Sequence, residues 1–310
     1  MSLFRHRSYA LGRGCGAACL ALGLVMLATS GVAAAPDPEA CRTVRMAEPG
    51  WSDIAATDAL LGEALRRAGY RQTVQILAAP IIFQALAAGR LDVFLGNWMP
   101  AQQHFADPPV AAHRIERIRA NLAHARFTLA VPDYVAAAGV HDIADLARFP
   151  DRFARRIYGI EPGAPANENI RRLINLGPDH LEGWQLVESS EFGMRSQLQR
   201  QVARHDWIVF LAWEPNPMNA QVSLTYLSGG GGFMGADYGS STVYTVARAG
   251  LSRECPVLAR LLRNVSFDTG IETEMMSALT VRHEAGPDAA RDALARRPKL
   301  MQAWLDGVAP

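Results

Sequence analysis

Asp92-Val-Phe-Leu-Gly-Asn-Trp-Met-Pro100 and Ile208-Val-Phe-Leu-Ala-Trp-Glu-Pro-Asn-Pro217 decide how this chain is read. Each is a short apolar run that stops at a tryptophan and a proline. Such runs suit strands buried on both faces, as in a parallel sheet. Pro100 and Pro215 cannot continue a central strand, so Trp98 and Trp213 are expected where a strand gives way to a loop. In open α/β sheets, ligands bind outside the carboxyl ends of the strands. A lone tryptophan after an apolar run is most often core. Two in matching contexts, over a hundred residues apart, instead suggest two sheets that face one another across a cleft.

Working outward, Thr43–Glu48, Thr73–Leu77 and Asp92–Gly96 read as three strands, with helices after Trp51 and from Ile81 to Ala88. Ser52 or Asp53 is the expected N-cap of the first helix. This β-α-β-α-β alternation predicts a doubly wound lobe. Arg126–Val131 is a strand that crosses into a second lobe. There Arg156–Ile160, Glu168–Leu176, Trp184–Val187, a helix capped by Ser189-Ser-Glu191 and Trp207–Ala212 repeat the alternation. Leu224–Leu227 is expected to lead back to the first lobe. Ser241–Val246 is a further strand, and helices are expected over Cys255–Asn264, Glu272–Leu279 and Ala290–Leu305. Gly229–Gly232 is a loop rather than a phosphate-binding turn, because no Gly-Lys-Ser/Thr follows it.

The N-terminus is built differently. Arg5, Arg7 and Arg13 precede an apolar stretch from Ala17 to Ala28, then small residues to Ala35. A basic region, a short apolar core and a small-residue exit predict a signal peptide over residues 1–35 and a periplasmic mature protein. The apolar core is short for a membrane span of about 20 residues. Of the four cysteines, Cys15 and Cys19 leave with the signal and Cys41 and Cys255 remain. An even pair in an oxidising compartment favours one disulfide, the alternative being two buried thiols. A Cys41–Cys255 bond would return the last third of the chain to the first lobe.

Net charge is +1 and no basic stripe carries interleaved aromatics, so nucleic acid is not an expected partner. The sequence carries no His-Glu-x-x-His, Gly-x-Ser-x-Gly or Cys-x-x-Cys, and its eight histidines are scattered. No catalytic residue, metal or cofactor is therefore expected. Glu188 and Glu191 are read as solvating or capping a helix. What stands out is a set of aromatics at strand ends: Trp51, Trp98 and Trp213, with Phe127 on the crossing strand. Several ring faces around a small cavity suit a cation that lacks hydrogen-bond donors, such as a quaternary ammonium. Each ring offers about 0.5–2 kcal/mol of cation–π attraction. Three or four rings plus methyl burial reach about −8 kcal/mol, which is micromolar affinity. Asp53, two residues after Trp51, is placed to add a charge or accept a hydrogen bond.

These residues, with Gly50-Trp-Ser-Asp-Ile54, Tyr158-Gly-Ile-Glu-Pro-Gly163, Val187-Glu-Ser-Ser-Glu191, Pro217-Met-Asn219 and Leu224-Thr-Tyr-Leu-Ser-Gly229, resemble the periplasmic substrate-binding proteins of choline and glycine-betaine ABC transporters, the choline-binding subgroup above all. The resemblance covers about Cys41 to Ala295. It implies an α/β periplasmic-binding-protein fold, with each lobe a doubly wound, mainly parallel sheet and the ligand in the cleft between them. The lobes would be 36–122 plus 222–310, and 123–221. It also implies a cage of Trp51, Trp98 and Trp213 around a trimethylammonium, with Asp53 on the ligand hydroxyl and Cys41–Cys255 as the subgroup's disulfide. Two positions depart from the subgroup: Phe127 stands where it has tyrosine, and Ala164 where it offers an asparagine to the choline hydroxyl. Asn167, three residues on, is the candidate to replace it. The expected ligand is choline. Glycine betaine, trimethylamine N-oxide or another quaternary or tertiary amine is the alternative. The expected partner is an ABC permease in the inner membrane, served by a monomer. A secreted enzyme or a chemosensory binding protein on the same scaffold is the reading from another class.

Overall fold

The computed structural model describes residues 36–177, 179–230 and 232–308. The expected signal peptide, with Cys15 and Cys19, lies outside the described residues. Among those described, no helix is long and apolar enough to cross a membrane.

Among the described residues, nine strands run in chain order: β1 (Thr43–Glu48), β2 (Arg71–Ile76), β3 (Val93–Met99), β4 (Ile115–Pro132), β5 (Arg156–Tyr158), β6 (Gln185–Val187), β7 (Phe210–Glu214), β8 (Leu224–Tyr226) and β9 (Ser240–Arg248). They form one sheet in the order β2-β1-β3-β9-β4-β7-β5-β6, with β8 paired to β4. β1 is parallel to β2 and β3, and β5 is parallel to β6 and β7. The two parallel ends are the two α/β units expected from the sequence. They are nonetheless hydrogen-bonded into one path, because β4 is 18 residues long and antiparallel to both β9 and β7. Only Arg126–Val131 of this strand is legible as an apolar run. Its first half, with Arg117 and Arg119, alternates charged and apolar residues and carries register shifts against β9.

Six helices accompany the strands around the cleft: α1 (Ser52–Arg67), α2 (Ala79–Ala87), α3 (Gln103–Ala111), α4 (Asp133–Ala136), α5 (Pro165–Leu176) and α6 (Glu191–Ala203). α1 buries Leu60, Leu61 and Leu65 against the C-terminal helices Thr269–Thr280 and Gly286–Ala295, in a core that the helix Pro256–Asn264 shares. α2 buries Ile82, Phe83 and Leu86 in a second core that also holds Trp98 and Trp213. Helices that follow successive strands thus feed different cores, as double winding requires.

Three local expectations are corrected. The single helix expected over Ala290–Leu305 is two, Gly286–Ala295 and Pro298–Trp304. Pro298 has no amide hydrogen to continue the ladder and sits at the start of the second helix. Leu224–Tyr226 does not lead directly back to the first unit. It pairs with Ala130–Pro132 of β4, and the return runs on to β9 at Ser240. The N-cap of α1 is Trp51, not Ser52 or Asp53.

The N-terminal segment is fastened twice. Cys41 and Cys255 form a disulfide with a Cα–Cα distance of 5.9 Å. The buried Asp37 carboxylate accepts from the backbone N–H groups of Val257 and Leu258 at 2.9 and 2.8 Å and from the Tyr70 hydroxyl at 2.8 Å. It therefore caps the helix that begins at Pro256. Replacing both cysteines by alanine should lower stability by about 2–5 kcal/mol, read by denaturant unfolding, with the native circular dichroism spectrum kept.

Candidate functional site

The β1–α1 turn supplies the first two site residues. Gly50 has φ +87°, a conformation that favours glycine, and its N–H donates to Glu48 Oε2 at 2.6 Å. The chain then enters α1 with Trp51 in an extended conformation as N-cap and Asp53 in the first turn. Trp98 is the penultimate residue of β3 and Trp213 of β7, and the Met99–Pro100 and Glu214–Pro215 peptide bonds are both cis. Phe127 lies directly opposite Trp213 in the β4–β7 register.

These five residues meet. Trp51, Asp53, Trp98, Phe127 and Trp213 line one cavity, closed by Ala101, Gln102, Ile160, Pro165 and Ala166. Ring centroids are 5.7 Å apart for Trp98–Phe127 and 6.5 Å for Phe127–Trp213, with tilted planes. The walls are mostly apolar, and all three tryptophans are buried.

Asp53 is the polar centre. It is 2 % exposed, and its Oδ2 accepts from Trp98 Nε1 at 3.0 Å. Among the described residues, Asp53 Oδ1 and Trp213 Nε1 are buried without a hydrogen-bond partner. Burial, reinforced by the nearby charge of Glu191, pushes the Asp53 carboxyl up to about 7 against the opposing Trp98 N–H. Burial also pushes Asp58 and Glu272 well above the usual carboxylate range, with the Asp53 charge contributing to both. An unpaired carboxylate in such surroundings is stabilised by a cation placed beside it.

Asn167 is placed elsewhere. Its Oδ1 accepts from the Ile160 N–H at 3.1 Å, and its Nδ2 donates to Ile160 O, Glu161 O and Glu188 Oε1. Its amide is fully committed to pinning the β5–α5 loop, which brings Ile160, Pro165 and Ala166 to the cavity. Ala164 is the buried N-cap of α5 and offers no side-chain donor. The part of the wall made by Ile160, Pro165 and Ala166 is therefore apolar.

Four residues were not legible as site residues. Gln102 is 2 % exposed and lines the cavity four residues after Trp98, in the turn that begins α3. Glu161 Oε1 accepts from Trp51 Nε1 at 2.9 Å. Glu191 Oε2 accepts from the Ser52 N–H at 2.9 Å, and its Oε1 from Ser52 Oγ at 2.7 Å. The sequence suggests a helix-capping role for Glu191; the helix it serves is α1, far from it in sequence. Asn169 Nδ2 donates to Ala101 O at 3.1 Å.

The family model for the substrate-binding domain of ABC-type glycine betaine transport systems matches residues 42–296. The chain belongs to this family. It is thus the substrate-binding component of an ABC transporter, with the two-lobed architecture of that group, and it works with a permease. Among solved structures, it is similar to an ABC-transporter choline-binding protein in complex with choline: 42% identity, 88% of this chain and 94% of that one, TM-score 0.85. It is also similar to lactococcal OpuAC, closed and complexed with glycine betaine: 25% identity, 85% and 99% coverage, TM-score 0.76. An uncharacterized protein of Chromohalobacter salexigens is 46% identical over 128 residues, 41% of this chain and 83% of that protein. The glycine betaine/carnitine transport binding protein GbuC of Listeria monocytogenes is 29% identical over 156 residues, about half of each chain.

Asp53 sets a testable stability profile for the ligand-free binding protein. Its carboxyl lies near 3.8 when unfolded and about 7 when folded. Its contribution is therefore complete below the unfolded value and lost as pH rises through about 7. Asp53→Asn should raise the melting temperature at pH 8 and have little effect at pH 4, measured by scanning calorimetry.

Proposed function

We propose that this binding protein captures choline, or a close quaternary ammonium relative, and delivers it to the permease. One observation carries the reading: three tryptophans and a phenylalanine surround a buried carboxylate that has one oxygen unpartnered. A ring face attracts a cation without needing a donor from it. Asp53 Oδ1 adds charge attraction and accepts a hydroxyl hydrogen bond. The other Asp53 oxygen is already held by Trp98, so the carboxylate presents a fixed acceptor. A betaine carboxylate near Asp53 would meet like-charge repulsion, whereas a choline hydroxyl finds an acceptor there. This ranks choline above glycine betaine and trimethylamine N-oxide. The 42% identity to a choline-binding protein supports the same order.

In this reading one lobe holds β1–β3, β9 and the C-terminal helices, and the other holds β5–β8. β4 and the segment between β8 and β9 cross between them. The ligand bridges the lobes and shifts an open–closed equilibrium, and the permease takes the closed form. The protein acts as an exported monomer and releases its ligand unchanged.

Titration calorimetry tests the reading directly. Trp98→Ala and Trp213→Ala should each weaken choline binding by at least about tenfold with the fold intact, the loss of one cage ring. Unchanged affinity in both would refute the cage. Asp53→Ala should weaken choline more than tetramethylammonium, because only choline has a hydroxyl. Equal losses would assign Asp53 a role through charge alone.

A further inference from the structure

The donors of three consecutive residues, Gly50, Trp51 and Ser52, are all taken by glutamates. Glu48, from the end of β1, takes the Gly50 N–H. The other two come from beyond β4: Glu161 from the β5–α5 loop takes the Trp51 indole N–H, and Glu191 from the first residue of α6 takes both Ser52 donors. These contacts bridge 110 and 139 residues of sequence and, in the lobe division proposed above, cross the cleft.

Glu191 is built for this contact. It is 1 % exposed and surrounded by donors. Besides the two from Ser52, Asn216 Nδ2 donates to Oε1 at 2.9 Å and Arg195 Nη1 lies 3.5 Å from the same oxygen. Asn216 follows Trp213 by three residues, so Glu191 links the Trp213 turn to the turn that carries Trp51 and Asp53. It also meets the N-terminus of α1, where free N–H groups and the helix dipole favour an anion. Asn169 adds a third crossing point on Ala101, in the turn that follows Trp98.

We propose that Glu161 and Glu191 are positioning residues that latch the closed cleft. They hold the Trp51 ring and the start of α1 against the opposite lobe, and so set how long a bound cation is retained. Neither reaches the cation itself. Glu161 acts through Trp51, and Glu191 through Ser52 and Asn216. This inference rests on the proposed reading of the cage as a cation site.

If the contacts form only on closure, as the latch requires, their loss should speed release and leave capture nearly unchanged. Stopped-flow tryptophan fluorescence with choline separates the two rates. Glu161→Leu should dissociate at least about tenfold faster, with an association rate within about twofold of wild type. Glu161→Gln keeps an acceptor for the indole N–H and should restore most of the slow release. Glu191→Gln should not, since its NH2 would face a ring of donors, and it should release at least about tenfold faster. Wild-type dissociation in both Glu161→Leu and Glu191→Gln would overturn the latch, as would lowered melting temperatures with unchanged release. If the wild type binds neither choline nor tetramethylammonium, the cation reading itself fails and the latch falls with it.

Discussion

The site depends on one buried carboxylate. Asp53 sits in the first turn of α1, almost wholly excluded from water, with one oxygen held by Trp98 and the other unpartnered. Burying a charge without a counter-charge is costly, and here the nearby charge of Glu191 adds to the cost. A cation between the rings relieves this. The aromatic walls and the acid are therefore complementary parts of one device. The rings exclude water and attract charge without spending a hydrogen bond. In the proposed reading, the acid makes a cation the preferred occupant and supplies a directional contact.

The fold places these parts by strand ends. Trp98 and Trp213 close β3 and β7, which belong to the two parallel ends of the sheet, and Phe127 lies on the strand that joins them. β4 thus does two jobs: it is the physical link between the parallel units, and it carries a cage ring. Trp51 enters from a turn shaped by Gly50, and the β5–α5 loop, braced by Asn167, closes the opposite wall. Five separate segments of chain converge on one cavity. That convergence explains why the core containing Trp51, Trp98 and Trp213 also extends to Ile160, Ala164 and Ala166.

The aromatic half of the site was legible because it is local. A buried run that ends in Trp-x-Pro marks a strand end, and a strand end marks a ligand position. Asp53 was legible by its distance of two residues from Trp51. The polar support was not, because its partners lie far apart in the chain. Nothing near Glu161 announces an indole, and nothing near Glu191 announces Ser52. Asn167 misled for the same reason: its spacing from Ala164 suggested the cavity, whereas its amide is consumed by Ile160, Glu161 and Glu188. In the fold, the first half of β4 was hidden by its arginines. α3 was hidden by Pro108 and Pro109, which sit inside it.

The central claim is that positive charge, rather than shape alone, is what the cage selects. Calorimetric titration with choline and with 3,3-dimethylbutan-1-ol, its uncharged carbon isostere, tests this most directly. The two share size, methyl groups and hydroxyl, and differ in the charge presented to the rings and to Asp53. Choline should bind at least about a hundredfold more tightly, the product of several cation–π contacts and one carboxylate. Equal affinities would contradict the account and reduce the cage to an apolar pocket.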